Sequence, residues 1–291
     1  MKTIVILNPK ASQGKAILMK ENILSELSSQ GIDFEMHISK SADDIIEASK
    51  HYLNLGFKNF LGAGGDGTLH YIAQVVAGTD CNLGIIPIGS GNDIIKTLGI
   101  SNNIEESIKI IKKGKIKRID IGFFNDSKYF IGYASSGFDS EVLRFANNTK
   151  LPIKGALRYN LSVYKTLITF KPKVFSMEYD GTFRDENMMF SVVSNLKYYG
   201  GGMKISPSAD PSDGKFDICL VKAMGKMSFI KAFPKVYAGE HTQIPQVEIF
   251  RTQEIKIDCI NKFEIHGDGE YLGVLPAKLK ILPGMLNIFI P

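Results

Sequence analysis

Seven residues, Gly62-Ala63-Gly64-Gly65-Asp66-Gly67-Thr68, stand between an apolar strand entered at Phe60-Leu61 and a helical pattern running from Leu69 to Val76. Glycine is the residue a chain uses where backbone must approach backbone or ligand closely, or where φ turns positive. The helix that follows presents free N–H groups and the positive end of its dipole to the turn, a setting suited to an anion. A strand, a glycine turn and a helix in this order restrict the chain around them to a βα unit.

Read literally, Gly62, Gly64 and Gly67 form a GxGxxG pattern. A dinucleotide fold would then want an acidic residue closing the next strand, to hold a ribose. That strand instead ends Pro87-Ile88-Gly89-Ser90, without a carboxylate. A P-loop fails as well, because Gly14-Lys15-Ala16 lacks the hydroxyl after the lysine and the upstream glycine at the required spacing. What remains is a phosphate-type turn with an embedded carboxylate, Asp66. A carboxylate beside phosphate requires a metal or a proton.

The flanking sequence repeats the βα rhythm. Ile4-Val5-Ile6-Leu7 is a continuous apolar run, as expected of a parallel strand covered on both faces. Lys15 to Gln30 has helical spacing and stops at Gly31. Phe34–Ile38 reads as a strand, Asp43–Leu55 as a helix, and Leu83–Ile88 as a strand entering Gly89-Ser90-Gly91-Asn92-Asp93. Short helices follow to Lys113. These elements predict a doubly wound α/β domain over residues 1–125.

Beyond residue 125 the rhythm changes to strands and hairpin turns. Phe175–Tyr179 and Met188–Val193 flank Asp180-Gly181, and Phe216–Val221, Val247–Phe250, Glu254–Cys259, Phe263–His266, Leu279–Leu282 and Leu286–Ile290 follow. Helical patterns at Lys154–Thr169 and Met227–Tyr237 interrupt them. The expectation is a mostly antiparallel β domain over 126–291, its last strand a candidate to return to the first domain.

The net charge of +5 is well below that of a dedicated nucleic-acid binder, and no nucleic-acid partner is expected. Its distribution is more informative. Residues 142–177 contain no Asp or Glu but hold Arg144, Lys150, Lys154, Arg158, Lys165, Lys171 and Lys173, so the other 255 residues carry −2. On the helical reading, Leu157, Leu161, Tyr164 and Ile168 form a stripe beside Arg158 and Lys165, the composition of an interfacial helix. Cys81, Cys219 and Cys259 are far apart and lack zinc-type spacing, which predicts free thiols in a reducing compartment. No apolar window is long enough for a signal sequence or a bilayer span. A soluble, cytoplasmic protein is expected, with membrane contact at most peripheral to the inner face.

Gly64-Gly65-Asp66-Gly67-Thr68 resembles the signature shared by lipid kinases of the diacylglycerol and sphingosine type and by NAD kinases. Further segments match the soluble bacterial diacylglycerol kinase family in order. They are Asn8-Pro9 with Gly14-Lys15, Pro87 to Asp93, Asp120-Ile121-Gly122, Gly200-Gly201-Gly202-Met203 running to Asp210, Asp213 to Asp217, and Gly267-Asp268-Gly269-Glu270. NAD kinases use an Asn-Glu pair downstream of the turn, and this chain has no such dipeptide.

The resemblance implies an NAD-kinase-like two-domain fold, an α/β nucleotide domain followed by an antiparallel β-sandwich, with the active site in the cleft between them. It implies ATP along Asn8, Lys15, Ser39, Gly64, Gly65, Asp66, Gly67, Thr68, Ser90 and Lys96. Glu270 falls at the family's catalytic base, with Asp66 and Asp93 completing a carboxylate network around the nucleotide's Mg²⁺. Asp213, with backbone carbonyls of Asp210 and Lys215, falls at a second, structural Mg²⁺ site; oxygen-only ligation suits that cation. The implied reaction is transfer of the ATP γ-phosphate to a membrane lipid hydroxyl, diacylglycerol giving phosphatidic acid. The alternatives are another lipid (phosphatidylglycerol or a sphingoid base), a soluble acceptor such as NAD, and a silent membrane-associated nucleotide-binding regulator. Membrane contact through Arg158 and Lys165 and a homodimer are compatible with the resemblance.

Overall fold

The computed structural model describes residues 2–89, 91–148 and 156–291; of these, the side chains of 13, 147, 148 and 156–160 are outside the description. The chain forms two compact units, Met1–Ile121 with Leu282–Pro291, and Gly122–Ile281.

The first unit contains β1 (Thr3–Leu7), a 3₁₀ segment (Ala11–Met19), α1 (Lys20–Ser29), β2 (Phe34–Ile38), α2 (Ala42–Asn54), β3 (Asn59–Gly64), α3 (Asp66–Val76), β4 (Asn82–Pro87), α4 (Asp93–Leu98), α5 (Ile104–Lys113) and most of β5 (Ile116–Phe124). Its parallel strands run in the order β4-β3-β1-β2. Every residue of β1 is buried, which its unbroken apolar run requires. Two glycines show why helices cover both faces. A Cβ on Gly62 would meet Leu69 and Ile72 of α3, whereas a Cβ on Gly84 would meet Leu61 and Ile111 of α5. Leu61 and Gly84 are paired and share a face, and Gly62 points the opposite way, so α3 and α5 lie on opposite faces. Ser41 accepts the Asp44 N–H at the start of α2, and Asn103 accepts the Glu106 N–H at the start of α5. Such caps satisfy amides that the helix itself leaves unpaired.

The second unit completes the chain with β6 (Lys128–Phe130), β7 (Tyr133–Gly137), α6 (Phe138–Asn148), α7 (Ala156–Thr169), β8 (Lys173–Tyr179), β9 (Thr182–Ser194), β10 (Phe216–Lys222), α8 (Lys226–Ala232), α9 (Lys235–Ala238), β11 (Val247–Thr252), β12 (Glu254–Asp258), β13 (Glu264–Gly267), β14 (Glu270–Val274) and the first half of β15 (Ala277–Phe289). The strands pair antiparallel in the order β14-β13-β7-β9-β8-β12-β15, with β10 joined to β9 and β11. Phe130 stacks on Phe216 and Phe175 on Phe263 in one core; Phe138, Phe190, Phe229 and Tyr199 belong to another.

The sequence reading differs from this structure at several points. Leu279–Leu282 and Leu286–Ile290 belong to one strand, β15, whose second half pairs parallel with β4 in the first unit. The single helix expected over Met227–Tyr237 is broken into α8 and α9 at Phe233-Pro234, since proline has no N–H to continue the helical hydrogen bonds and its ring crowds the preceding turn. Among the described side chains of α7 the buried ones are Ser162, Val163, Thr166 and Leu167, whereas Tyr164 and Ile168 of the expected apolar stripe are 43% and 66% exposed, and Leu157 lies outside the described side chains. The three cysteines are buried free thiols. No helix among the described residues is long and apolar enough to cross a membrane.

Candidate active site

In the first unit the register of the parallel strands gathers the expected nucleotide residues. Leu7 pairs with both Ile38 and Ala63, and Gly64 pairs with Pro87. The residues leaving these strands, Asn8, Ser39, Gly65 and Ile88, therefore emerge along one carboxyl edge, where open α/β sheets take their ligands.

The glycine turn is held from both sides. Asn8 Nδ2 donates to Thr68 Oγ1 at 3.1 Å, and the Asn8 N–H donates to Ala63 O at 3.0 Å. Gly64 O accepts the N–H groups of Ile88 and Gly89 at 3.1 and 3.0 Å. A Cβ on Gly64 would lie 2.1 Å from Thr68 Oγ1, and one on Gly89 would lie 2.4 Å from the Gly65 Cα. The turns after β3 and β4 thus touch backbone to backbone, which explains glycine at both. The first turn of α3 leaves amides that an intrahelical partner cannot reach, beside these glycines.

Asp66 is not an isolated carboxylate facing a phosphate. Its Oδ2 accepts the Asp93 N–H at 2.9 Å and its Oδ1 the Ile94 N–H at 3.2 Å. It therefore caps α4 from another helix. Asn92, in the left-handed region at φ 55°, donates to Gly89 O and to Asn102 Oδ1. Asp93 is buried, and Lys96 Nζ lies 3.4 Å from its Oδ1. Ser39 is buried and its hydroxyl donates to Leu7 O at 3.2 Å. Lys15 and Lys96 are exposed. Ser12, which the sequence reading does not single out, donates from Oγ to Ile88 O at 2.5 Å and ties the loop after β1 to the loop after β4. Ser90 lies outside the described residues.

In the second unit, Glu270 opens β14, directly after the turn Gly267-Asp268-Gly269, and is half-buried. The turn is fixed by Asp268, whose Oδ2 accepts the Ile131 N–H at 2.7 Å and whose Oδ1 accepts those of Gly132 and Tyr133 at 2.7 and 3.3 Å. Asp268 itself adopts φ 54° and Gly269 φ 86°. The first carboxylate of the motif is thus a structural anchor for the turn that leads into Glu270. Near Glu270 stand two buried groups that sequence reasoning does not place in the site, His266 and Asp139. Both Glu270 and Asp139 act electrostatically on His266, but burial dominates and pushes its imidazole below 6.5. Asp139 Oδ2 accepts the Ser135 hydroxyl at 2.5 Å.

The Asp210–Lys215 loop also lies in this unit. Asp210 Oδ1 accepts both the N–H and the hydroxyl of Ser212, and Asp213 Oδ1 accepts the Lys215 N–H. Asp213 Oδ2 is ion-paired with the Arg251 guanidinium, whose Nε lies 3.4 Å from Oδ2 of the fully buried Asp217. Both oxygens of Asp213 therefore have protein partners, and a guanidinium stands where a divalent cation would bind. As it stands the loop does not fit a bound Mg²⁺. Among the described residues there is no group of three or more His, Cys, Asp or Glu able to hold a metal.

Comparison with known proteins agrees with this division. Residues 2–124 match the diacylglycerol kinase catalytic domain, and residues 132–290 match the YegS C-terminal NAD kinase beta sandwich-like domain. A Mycobacterium tuberculosis diacylglycerol kinase is 30% identical over 298 residues, covering 100% of this chain and 95% of the relative. A Bacillus subtilis diacylglycerol kinase is 28% identical over 292 residues, covering 99% and 95%. The crystal structure of a candidate diacylglycerol kinase from Bacillus anthracis str. Sterne aligns with a TM-score of 0.83 at 25% identity, over 100% of this chain and 95% of that one.

Proposed function

We propose, for a chain that belongs to the diacylglycerol kinase family and is a lipid kinase, that it transfers the γ-phosphate of Mg²⁺-bound ATP to the free hydroxyl of diacylglycerol, giving phosphatidic acid. The observation that carries the nucleotide half is the interlocked pair of glycine turns after β3 and β4. In such turns backbone amides, rather than long side chains, hold the phosphates, so the grip costs little ordering on binding. Asn8, Ser39 and Thr68 supply polar groups along the same strand edge, and Lys15 and Lys96 offset charge.

Phosphoryl transfer asks mainly for positioning and charge neutralisation, with a carboxylate to take the proton of the attacking hydroxyl. Glu270 is assigned that role: the rigid Asp268 turn fixes the backbone from which its carboxylate projects. Asp66 and Asp93 act by shaping the nucleotide loop. For the acceptor, support comes from the curated relatives, which are named diacylglycerol kinases. Access to a bilayer lipid calls for peripheral docking, which the exposed Tyr164, Lys165 and Ile168 of α7 favour; the Arg158 side chain expected beside them is outside the described part. The test is transfer from γ-labelled ATP to diacylglycerol, phosphatidylglycerol, sphingosine and NAD in parallel. Label in phosphatidic acid is expected, and label in NAD with none in any lipid would overturn the reading.

A further inference from the structure

Ser12 lies in the loop after β1 at φ 48°, in the left-handed region, and Gly14 follows at φ 89°. Glycine enters that region freely, whereas a residue with a side chain does so at a cost and stays only where its surroundings hold it. Within the loop, the Lys10 N–H donates to Asn8 Oδ1 at 3.0 Å, the Ala11 N–H to Asn8 O at 3.1 Å and the Gly14 N–H to Lys10 O at 3.2 Å. Ser12 instead reaches out of the loop, donating from Oγ to Ile88 O at 2.5 Å across 76 positions of sequence.

That bond closes a circuit of three loops on one strand edge. Asn8 joins the loop after β1 to the glycine turn, through its N–H to Ala63 O and its side-chain amide to Thr68 Oγ1. The turn is joined to the loop after β4, because Gly64 O accepts the N–H groups of Ile88 and Gly89. Ser12 completes the return from Ile88 to the first loop. The first two joints use backbone groups, and the third rests on one half-buried hydroxyl. The fold has little need of that third joint. Buried β1 and buried Ala16 anchor the loop at its two ends, and the hydrogen bond returns to the folded state about what the left-handed serine takes from it. What the joint does fix is the place of the loop amides beside the glycine turn.

We infer that Ser12 is a positioning residue for the nucleotide: its hydroxyl latches the loop after β1 to the loop after β4, so that the frame around the phosphates is set before ATP arrives. The inference rests on the reading of this strand edge as the ATP site. A loop that is already ordered loses less freedom on binding than one that must be ordered by the ligand. The latch therefore acts on ATP affinity and leaves the transfer step on saturated enzyme unchanged.

The experiment compares the wild type, Ser12→Gly and Ser12→Ala in the full chain by calorimetric ATP binding, urea unfolding and turnover on diacylglycerol in mixed micelles. Ser12→Gly removes the latch and the φ strain together. Its ATP affinity should fall roughly threefold to tenfold, the net worth of one hydrogen bond. The KM for ATP should rise in step, kcat should stay as in the wild type, and the unfolding midpoint should hold or rise. Ser12→Ala removes the latch and keeps the strain, so it should lose the same affinity at a lower midpoint. Wild-type ATP affinity in either variant, whatever its midpoint, would overturn the inference. Weaker ATP binding in both variants, with no lipid phosphorylated by the wild type, would leave the latch standing and overturn the lipid-kinase reading.

Discussion

The carboxylate of Asp66 accepts the backbone N–H of Asp93 at 2.9 Å, tying the first turn of α3 to the first turn of α4. The same carboxylate accepts the Ile94 N–H, so one side chain serves both amides that open α4. Asp66→Ala removes both acceptors and is expected to cost about 0.5–2 kcal/mol, as for other helix caps that are removed. Urea unfolding measures that loss, and labelled-ATP assays should show turnover falling with it, because the loop after β4 is no longer held. Wild-type stability and turnover in Asp66→Ala would contradict the assignment.

Gly89 and Gly65 meet without room for a side chain. Gly89→Ala is expected to push the two turns apart, at a cost of about 1–3 kcal/mol as in other overpacked sites. The affinity for ATP, measured by calorimetry, should fall more than the stability does, since the displaced atoms are those proposed to face the phosphates. A Gly89→Ala protein that binds ATP like the wild type would show that this contact is not part of the nucleotide grip.

These two relationships also mark how far the sequence could be read. The glycine turn was legible because glycine between an apolar strand and a helix has few structural uses, and β1 and β2 were legible from short, clean apolar patterns. Asp66 as a cap on α4 was not legible, because it depends on parallel pairing that brings Gly64 beside Pro87, two segments apart in the chain. Strands β6 and β7 and helix α6 were missed, and with them Ser135 and Asp139. Over residues 128–148 the strands are short and β7 is buried at every position, so no alternation signals it. Asp120-Ile121-Gly122 was legible as a motif but not as structure: Asp120 Oδ1 accepts the Gly284 N–H at 2.8 Å, and Gly122 leaves space for the Phe130 ring. Family resemblance alone could not distinguish such residues from those of the site. The cation expected at Asp213 depended on what faced it, and Arg251 comes from a strand 38 positions downstream.

Arg251 as an internal cation has a direct consequence. Burial pushes the Asp217 carboxyl upward, with only the Ser208 hydroxyl opposing that shift, and Arg251 supplies the positive charge next to it and to Asp213. Arg251→Gln is expected to cost about 1–3 kcal/mol, less than a fully buried pair because the guanidinium is partly exposed. Thermal unfolding of the variant should then respond to Mg²⁺, the site having become anionic, while the wild-type Tm should be the same in Mg²⁺ and in a chelator. A wild-type Tm that falls on chelation would show a bound cation in the native loop.

Two buried histidines set the acid limb of stability. Burial lowers the imidazole pKa of His241 and of His266 below 6.5, against weaker opposing effects from Ile205 O and from the neighbouring carboxylates respectively. Both are thus held neutral in the folded state and take up protons more readily when unfolded. Stability therefore rises with pH through this range, is fully present above about 6.5, and is lost as pH falls toward the folded-state values. Denaturation midpoints measured from about pH 7 down to about pH 5 should decline, and His241→Gln should flatten the slope. A slope unchanged in His241→Gln would exclude that histidine from the effect.

The lipid-kinase account comes to its sharpest point at Glu270. The decisive measurement is formation of labelled phosphatidic acid from γ-labelled ATP and diacylglycerol in mixed micelles, with the wild type and Glu270→Gln side by side. The account predicts product with the wild type and a turnover about 10²–10⁴ lower in the variant, the usual worth of a general base, at an unchanged KM for ATP. No lipid product from the wild type, or equal turnover in Glu270→Gln, would contradict it.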